Sequence, residues 1–379
     1  MLLDLLFYVS GLSWLVVCLR TLLGSRALPD LGPEPPRDGE GPPTVAAIVA
    51  VRDGEHEIGP TLDALLAQQD VELTVIAVDD RSRDGTPALL AARAAQDPRL
   101  RPLRIDELPD GWLGKTHACA RGATLASKAE WLLFVDADTW IAPGIVARAV
   151  RTARRLGTPH FCLVPGFRDQ TLPGSALLIT LSIGLFLRAL ELARRSRRKP
   201  FGVGAFTLIR SDVYRDVGGH EALRMHVIED CDLAGNVLQK GHASALRMAV
   251  DEFRVHWVSD IRSAFRVLEK NFFALFRFRT ALAIAAVVAE TASWVIPVLG
   301  AVVGSRAGLF AIVCYLMLIP VGVILARRYR SPIALAAAVP LLFPLVPLIL
   351  FNSVIATLRR GGVRWRETFY PLDRLRAQR

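Results

Sequence analysis

The sequence predicts an α/β domain with a mostly parallel sheet, flanked by membrane-spanning helices at both ends of the chain. Short apolar runs alternate with segments of helical periodicity between residues 44 and 140, and two of these runs end in paired aspartates. Long apolar stretches occupy residues 1–24 and 280–358. The chain is 52% hydrophobic with a mean hydropathy of +0.35, which is high for a soluble protein.

The N-terminal element is residues 1–24, an apolar segment long enough to span a bilayer. It carries the acidic Asp4 near its start, whereas a secretory signal peptide would begin with basic residues. Arg20 and Arg26 lie at its end, so the positive-inside rule predicts that the following domain faces the cytoplasm. Residues 25–43 are rich in proline, glycine and acids and predict an unstructured linker.

Residues 44–51 and 73–78 predict buried strands, and residues 58–69 between them predict a helix. Strand, helix and strand in this order form a βαβ unit, whose ligand loops follow the strand C-termini. No G-x-G-x-x-G motif follows either strand, so a nicotinamide or flavin site is not supported. The acidic run Asp79–Thr86 suggests hydrogen bonds to a base and ribose. A polar turn that caps the next helix is the alternative.

The run Trp131–Val135 predicts a buried central strand that ends at Asp136 and Asp138. Side chains at positions i and i+2 of an extended backbone project to the same side. Paired carboxylates at such a strand end suit a hard divalent cation, Mg or Mn, which takes phosphate oxygens as further ligands. Two solvated turn aspartates are the alternative interpretation.

Several motifs together resemble the family 2 glycosyltransferases. In chain order they are residues 50–55, VDDRSRDGT at 78–86, GWLGKTHACARGA at 111–123, FVDAD at 134–138, and the stretches 202–219 and 229–233. The resemblance covers residues 44 to 273 and implies a GT-A fold with a mixed, mostly parallel sheet. It also implies a nucleoside-diphosphate sugar donor, a divalent metal and inversion at the anomeric carbon.

Residues 108–115 and the C-terminal spans indicate which branch of the family the chain resembles. These segments look closest to the hopanoid-cluster-associated branch of the family. Membrane ceramide glucosyltransferases and carotenoid glycosyltransferases are similar in layout. The acceptor that this layout implies is therefore a membrane lipid.

The resemblance assigns the donor site to four residues of the N-terminal half. Asp79 and Asp80 match the acids that recognise the base, where a carboxylate accepts the N–H of uracil. Asp53 matches a first-loop position near the nucleotide. Lys115 is placed to meet the diphosphate as a point charge, although a surface lysine is the alternative.

The resemblance assigns metal binding, catalysis and a further substrate contact to four other acids. Asp136 and Asp138 match the metal-binding pair of the family; Asp138 is expected to be the direct ligand, and Asp136 to hold the ribose or the metal. Asp230 matches the catalytic acid motif and is expected to be the base that takes the acceptor proton. Glu229 is expected to contact the substrate. Both Glu229 and Asp230 have an alternative as helix-start acids.

The sequence departs from part of the family downstream of Asp230. Processive members and many ceramide-type enzymes carry a Gln-x-x-Arg-Trp box, and no such box is present here. Its absence weakens the prediction of a polymer synthase. Trp257, Arg266 and Lys270 are candidates for closing over the donor in its place.

Two further regions are predicted to associate with the membrane. Residues 175–193, followed by the basic run 194–199, predict an interfacial helix, with a buried helix ending in solvated cations as the alternative. Residues 280–303 and 307–326 are each long enough to span. Residues 331–358 are interrupted by Pro340, Pro344 and Pro347, and they predict a third span or a re-entrant hairpin. The hairpin keeps the basic tail, residues 359–379, inside.

These features predict a multi-pass glycosyltransferase of the inner cell membrane, a hexosyltransferase with its catalytic domain at residues 44–275 in the cytoplasm. It is expected to move one sugar from a nucleoside-diphosphate donor, UDP-linked, to a hydroxyl of a membrane lipid. The net charge of +10 indicates an anionic leaflet rather than nucleic acid. The alternatives are a processive polysaccharide synthase, a polyprenyl-phosphate sugar transferase, and a non-catalytic nucleotide-sugar-binding membrane protein.

Overall fold

A computed structural model describes residues 1–126, 128–192 and 201–377. The chain forms two compact units. The sheet unit comprises Pro29–Phe167 and Glu191–His256, and the helical unit comprises Met1–Leu28, Arg168–Leu190 and Trp257–Arg379. The basic run 194–199, predicted to follow the interfacial helix, lies outside the described residues.

The elements are numbered along the whole chain. The strands are β1 (Thr44–Val51), β2 (Glu72–Asp80), β3 (Leu100–Ile105), β4 (Trp131–Asp136), β5 (Thr139–Ile141), β6 (His160–Val164), β7 (Gly166–Phe167), β8 (Thr207–Arg210), β9 (Ser244–Met248), β10 (Phe253–Val255), β11 (Gly362–Trp365) and β12 (Thr368–Pro371). The helices are α1 (Leu2–Ala27), α2 (Ile58–Leu66), α3 (Thr86–Gln96), α4 (Gly114–Leu125), α5 (Ile145–Leu156), α6 (Leu172–Leu192), α7 (Ser211–Asp216), α8 (Glu229–Gln239), α9 (Ile261–Leu275), α10 (Thr280–Val303), α11 (Arg306–Leu316), α12 (Leu318–Arg328), α13 (Val339–Leu342), α14 (Leu345–Arg360) and α15 (Leu372–Arg376).

The sheet unit is organised around a seven-stranded sheet with the order β3-β2-β1-β4-β8-β6-β9. The first four strands are parallel neighbours, β8 is antiparallel to β4 and β6, and β9 is parallel to β6. The predicted mixed, mostly parallel sheet is therefore confirmed. Val51 pairs in register with Asp79 and Ala50 with Asp136, so the acidic ends of β2 and β4 flank the end of β1.

Both faces of this sheet are buried under helices. On β1, Val45, Ala47 and Val49 belong to one hydrophobic cluster, and Ala46 and Ile48 belong to a second. This division follows from the period-two alternation of a strand. Helices α2 and α5 contribute to the first cluster, and α4 and α8 contribute to the second. Burial on both faces explains why β1 reads as a continuous apolar run.

Two predicted elements of the sheet unit have different bounds. The sequence of residues 201–210 predicts a strand. The observed strand is confined to β8, because the backbone at Gly202 and Gly204 packs against the start of α8 instead of extending the sheet. Residues 233–240 predict a helix from the sequence, and the observed helix begins earlier, at Glu229. The acids before Leu233 therefore occupy its first turn, where they interact favourably with the helix dipole.

Residues 29–43, here named the acidic strap, follow a defined path along α5. They form no helix or strand of their own, but Glu34 lies 2.8 Å from Arg155 and Glu40 lies 2.5 Å from Arg154. The segment thus lacks regular secondary structure, as a linker does, while these two ion pairs hold it along α5. The composition of the segment does not reveal these pairs, because Arg154 lies 114 residues from Glu40 in the sequence.

The helical unit contains the predicted membrane segments. By length and composition, four helical segments in the described ranges can cross a membrane: Leu2–Ala27, Leu172–Ala189, Thr280–Val303 and Arg306–Arg328. The first ends at Ala27 rather than at residue 24, and α10 has the bounds predicted from the sequence. These segments indicate a membrane protein.

The predicted interfacial helix corresponds to α6. It begins at Leu172, and 56% of the segment Leu172–Ala189 is buried inside the protein, where Phe186 packs against Gly24 of α1. Arg188 and Glu191 are charged positions in its second half that argue against a span, yet residues 172–189 are apolar enough for one. The interfacial position stays a prediction.

The last apolar region is bent. Ile333–Leu342 and Leu345–Arg360 meet at an angle of 54°, which is the geometry of a broken span or a re-entrant loop. The break falls at Pro344, because proline removes a backbone donor and clashes with the preceding turn of a helix. The re-entrant hairpin stays a prediction. Beyond α14, where only a basic tail was expected, β11 and β12 form an antiparallel hairpin followed by α15.

Candidate active site

Lys115 joins the end of the central strand β4 to the start of α8. Its Nζ lies 2.7 Å from Oδ1 of Asp136 and 2.7 Å from Oε1 of Glu229. The Lys115 side chain is 24% exposed, whereas Glu229 is 5% exposed. Burial disfavours the charge on Lys115, but the carboxylates of Asp136 and Glu229 outweigh it and raise the pKa of Lys115 well above its usual range. Lys115 is therefore a fixed cation at the carboxyl edge of the sheet.

Asp230 lies beside this ion-pair cluster. Its Oδ2 accepts a hydrogen bond from the N–H of Gly204 at 2.7 Å, and its Oδ1 accepts one from the N–H of Cys231 at 2.8 Å. A Cβ on Gly204 would lie 3.2 Å from Nζ of Lys115 and 3.5 Å from Oδ2 of Asp230. Glycine thus lets the backbone approach both groups. The two donors orient the Asp230 carboxylate, and each oxygen retains capacity for another donor.

A neutral histidine is buried close to Lys115. Nδ1 of His220 lies 3.0 Å from Oη of Tyr214, and that oxygen also accepts the backbone N–H of His220. Burial, followed by the charge of Lys115, lowers the pKa of His220 to about 3. His220 therefore adds no second positive charge to the cluster.

Asp138 lies in the turn between β4 and β5. Burial, followed by the charges of Asp136 and Glu57, raises the pKa of Asp138 to about 7. In the described ranges, no three His, Cys, Asp or Glu side chains are arranged to hold a metal by themselves. The two crowded carboxylates still fit Mg or Mn, because these ions use one or two carboxylates together with substrate phosphates. Asp138 and Asp136 are the residues that would hold such an ion.

Asp79 and Asp80, the last residues of β2, are each paired with an arginine. Asp79 is 2% exposed; it accepts the N–H of Ser82 at 3.0 Å and lies 2.6 Å from Nη1 of Arg104. Asp80 contacts the guanidinium of Arg81 with both oxygens, at 2.7 and 3.0 Å. Because β1 separates β2 from β4, these acids lie about 10 Å from the end of β4 at the usual strand spacing.

The loops that follow β1 and β2 are braced against each other. Asp53 has a φ of +49°, a left-handed conformation that aspartate adopts more readily than most residues. Its N–H donates to Oγ of Ser82 at 2.9 Å, and its Oδ1 accepts the N–H of Arg83 at 2.8 Å. Glu55 accepts the N–H of Gly85 at 2.6 Å. Asp53 therefore has a structural partner in the second loop.

Helix α4 connects these loops to Lys115. Its first residue, Gly114, lies so close to Asp80 that a Cβ would overlap Oδ2 of the carboxylate. The preceding Trp112 has the guanidinium of Arg224 4.9 Å from its ring centre, and Leu113 donates its N–H to the carbonyl of Arg224 at 2.7 Å. The start of α4 is thereby held next to the end of β2.

The comparison with known families agrees with this geometry. Residues 46–218 match the model of glycosyl transferase family 2. The matched segment is named the family 2 domain below. The acidic ends of β2 and β4 and Lys115 fall within this match, whereas α8 and the edge strand β9 follow it.

Similar proteins include the 4,4'-diaponeurosporenoate glycosyltransferases of Staphylococcus aureus. The protein of strain bovine RF122 / ET3-1 is 27% identical over 190 residues, which are 49% of this chain and 49% of that protein. The protein of strain USA300 is 27% identical over 186 residues, with 48% of each covered. The chain thus spans about half the length of these curated relatives.

A solved structure with a similar fold is the mannosyltransferase PcManGT from Pyrobaculum calidifontis, in complex with GDP-Man and Mn²⁺. It superposes with a TM-score of 0.57 at 18% identity, over 95% of this chain and 100% of that one. At this identity the similarity concerns the fold. The predicted GT-A fold with apolar helices near both ends of the chain is confirmed.

In the sheet unit, the residues predicted as site residues fall into two groups, apart from Asp138 in the turn between β4 and β5. Lys115, Asp136 and Glu229 are in direct contact, with Asp230 beside them. Asp53, Asp79 and Asp80 gather at the ends of β1 and β2. The candidates Trp257, Arg266 and Lys270 belong to the helical unit, where the Lys270 ammonium lies 3.8 Å from the ring centre of Trp365.

Two arginines of the family 2 domain were not predicted as site residues. Arg104 pairs with Asp79, and Arg81 pairs with Asp80. A signal for Arg104 exists in the sequence, because it lies at the end of a strand next to the acidic end of another. Arg104 of β3 is the register partner of Asp79 of β2. Arg81 directly follows Asp80 and carries no such signal.

Proposed function

We propose that the protein is an inverting glycosyltransferase that moves one sugar from a nucleoside-diphosphate sugar to a hydroxyl of a membrane lipid. The contact of Lys115 with Asp136 and Glu229 carries this proposal. It brings a fixed cation and a carboxylate suited to a metal ion next to Asp230, at the carboxyl edge of the central sheet. The candidate spans support a membrane acceptor, as do relatives named for 4,4'-diaponeurosporenoate, although the chain covers only half of them.

The donor is bound from two sides in this proposal. Asp79 and Asp80 accept the N–H groups of the base, for which uracil is the best match, and Asp53 approaches the ribose. Arg104 and Arg81 keep the two base-recognising carboxylates in place.

Lys115 binds the diphosphate. An ammonium has three N–H donors, and two of those of Lys115 point at carboxylates, so the third is available to a phosphate oxygen. A divalent metal at Asp138 and Asp136 would neutralise the charge that grows on the leaving nucleoside diphosphate. Lys115 stabilises the same charge from the protein side.

Asp230 acts as the general base. It takes the proton of the acceptor hydroxyl while the oxygen attacks the anomeric carbon opposite the leaving group. The N–H groups of Gly204 and Cys231 keep its carboxylate oriented for this transfer. A single displacement inverts the configuration and needs no second catalytic carboxylate. Glu229 keeps Lys115 next to the base without taking part in proton transfer.

The protein is proposed to reside in the inner cell membrane with the family 2 domain in the cytoplasm. Arg20 and Arg26 lie near the end of α1, and Arg327, Arg328 and Arg330 lie at the end of α12. Basic residues at these ends support this orientation, because cytoplasmic flanks of membrane helices are enriched in arginine and lysine. The resemblance of residues 108–115 to the hopanoid-associated branch makes polycyclic lipid alcohols the first acceptor class to test.

The experiment that tests this function uses purified full-length protein with radiolabelled UDP- and GDP-sugars, Mg²⁺ or Mn²⁺, and a total membrane lipid extract. We expect one labelled lipid, formed from a UDP-sugar, whose glycosidic bond has the configuration opposite to the donor. A growing polymer would favour a processive synthase, and a labelled polyprenyl phosphate would favour the corresponding transferase. Binding of UDP and metal without any labelled product would favour a non-catalytic protein.

A further inference from the structure

We propose that the C-terminal hairpin of the helical unit binds the anionic phospholipid headgroups of the membrane surface. The hairpin consists of β11, β12 and the turn Arg366-Glu367; together with its flanks, residues 359–377, it is named the arginine hairpin. It directly follows α14, which is part of a helix pair apolar enough to enter a membrane. The arginine hairpin begins where this apolar segment ends. If the helix pair enters the membrane, the hairpin starts at the level of the lipid headgroups.

The hairpin has one buried and one exposed face. Val363 pairs with Tyr370 in register, and both are buried. On the opposite face Arg364 pairs with Phe369; Arg364 is exposed and Phe369 is 48% exposed. Because side chains alternate along a strand, this division is fixed by the register. The outer face therefore presents an aromatic ring next to a guanidinium.

The exposed face is strongly cationic. Residues 359–377 contain six arginines and two acids. Arg359, Arg364 and Arg366 are exposed, and within the described part of the chain none of them forms an ion pair. Clusters of arginines directly after a membrane helix attract anionic lipids electrostatically.

The buried face keeps this surface in a preformed orientation. The Lys270 ammonium of α9 lies 3.8 Å from the ring centre of Trp365, and Arg360 forms an ion pair with Glu269. At the far end, Nε of Arg376 donates to the carbonyl of Phe278 at 3.1 Å. The arginines therefore belong to a folded hairpin that is held in place at both ends.

The combination of groups favours a phospholipid surface over nucleic acid. A half-exposed phenylalanine gains from insertion between acyl chains and headgroups, while the neighbouring arginines meet phosphates. The apolar helix pair that directly precedes the hairpin favours the same partner, since it brings the chain to a bilayer. This inference concerns a surface outside the family 2 domain and does not depend on the proposed reaction.

The test uses hydrogen–deuterium exchange of the full-length protein in nanodiscs of POPC alone and of POPC with 30% POPG. We expect the amides of the arginine hairpin to exchange about tenfold more slowly in the POPG discs, because headgroup contacts oppose local opening. The double variant Arg364→Gln/Arg366→Gln should lose most of this lipid-dependent difference. Its α9 and α14 peptides should exchange as in the wild type, which shows that the fold is intact.

The matched control removes two exposed arginines of the sheet unit, Arg101→Gln/Arg215→Gln. This variant should keep the full POPG-dependent protection of the arginine hairpin. Equal exchange of the wild-type hairpin in the two kinds of disc would overturn the proposal. Loss of the protection in the control variant, as complete as in the hairpin variant, would also overturn it. So would protection of the hairpin by single-stranded DNA added to POPC discs, without any protection by POPG.

Discussion

Oε1 of Glu229 lies 2.7 Å from Nζ of Lys115, so the first residue of the helix that carries Asp230 is tied to the cation at the end of β4. Lys115 thereby connects the half of the domain that resembles a nucleotide-sugar site with the half that resembles an acceptor site. A ligand that displaced Lys115 would therefore also change the contact that holds the first residue of α8.

Replacing Glu229 with glutamine should lower kcat by about 10- to 100-fold, which corresponds to ~1.4–2.7 kcal/mol of transition-state stabilisation. The variant keeps the shape of the side chain but removes a charge that holds Lys115, so Lys115 should move towards Asp136 alone. Steady-state transfer assays with varied donor measure this effect. Glu221→Gln, at an exposed position, is the control and should behave as the wild type. An unchanged kcat in the Glu229 variant would contradict the positioning role.

Replacing Gly204 with alanine should abolish most turnover without unfolding the protein. The added Cβ would lie 3.2 Å from Nζ of Lys115 and 3.5 Å from Oδ2 of Asp230, closer to the former than an ordinary packing contact. Gly235→Ala is the matched control, because a Cβ there meets nothing within 4 Å and alanine favours a helix by about 0.5–1 kcal/mol. We expect the control to be fully active and slightly more stable. Equal activity of the two variants would show that the close approach at residue 204 is unimportant.

Removal of divalent metal with EDTA should abolish transfer, and added Mn²⁺ or Mg²⁺ should restore it. Asp138→Asn should raise the metal concentration needed for half-maximal activity by about 10- to 100-fold, because the amide carries no charge for a hard cation. Metal titrations of the transfer rate measure the shift. Asp38→Asn, at an exposed position of the acidic strap, should leave the titration unchanged. Full activity in EDTA would remove the metal from the mechanism.

The stability of the sheet unit should fall in mild acid through His160. This residue is fully buried, and burial lowers the pKa of His160 to about 4, whereas an exposed histidine has a pKa of about 6.5. Between these values the unfolded chain binds more protons than the folded one. The contribution is therefore complete above pH ~6.5 and is lost as the pH falls towards ~4, at up to ~1.4 kcal/mol per pH unit.

Melting temperatures measured in detergent between pH 4.5 and 7 test this dependence. His160→Asn retains an amide near Oγ of Ser244, which lies 2.7 Å from Nδ1 in the wild type. The variant should be less stable at pH 7 but should lose less stability on acidification. Parallel pH curves for the two proteins would show that His160 does not titrate in this way.

Much of the fold followed from local patterns in the sequence. The apolar runs predicted β1 with its observed bounds and placed acids at the ends of β2 and β4. These elements are defined by consecutive residues with both faces buried, so the sequence contains the signal locally. The same holds for α10, whose length matches the thickness of a bilayer.

Contacts between distant residues were not predictable in the same way. The ion pair of Arg154 with Glu40 and the approach of Gly204 to Asp230 depend on segments that only the folded chain brings together. The strand predicted before residue 207 failed for this reason, since packing on α8 outweighed a local preference for extended backbone. The C-terminal hairpin was missed because its charged residues masked the alternation of Val363 and Trp365.

Transfer by the Asp230→Asn variant tests the central claim most directly. The measurement compares labelled lipid formed from the same nucleotide sugar by wild-type and variant protein, with UDP binding measured in parallel. We predict that the variant binds UDP and metal as the wild type does but transfers sugar about 100- to 10,000-fold more slowly, because the acceptor proton has no base. Unchanged transfer by Asp230→Asn would contradict the assignment of Asp230 and with it the proposed mechanism.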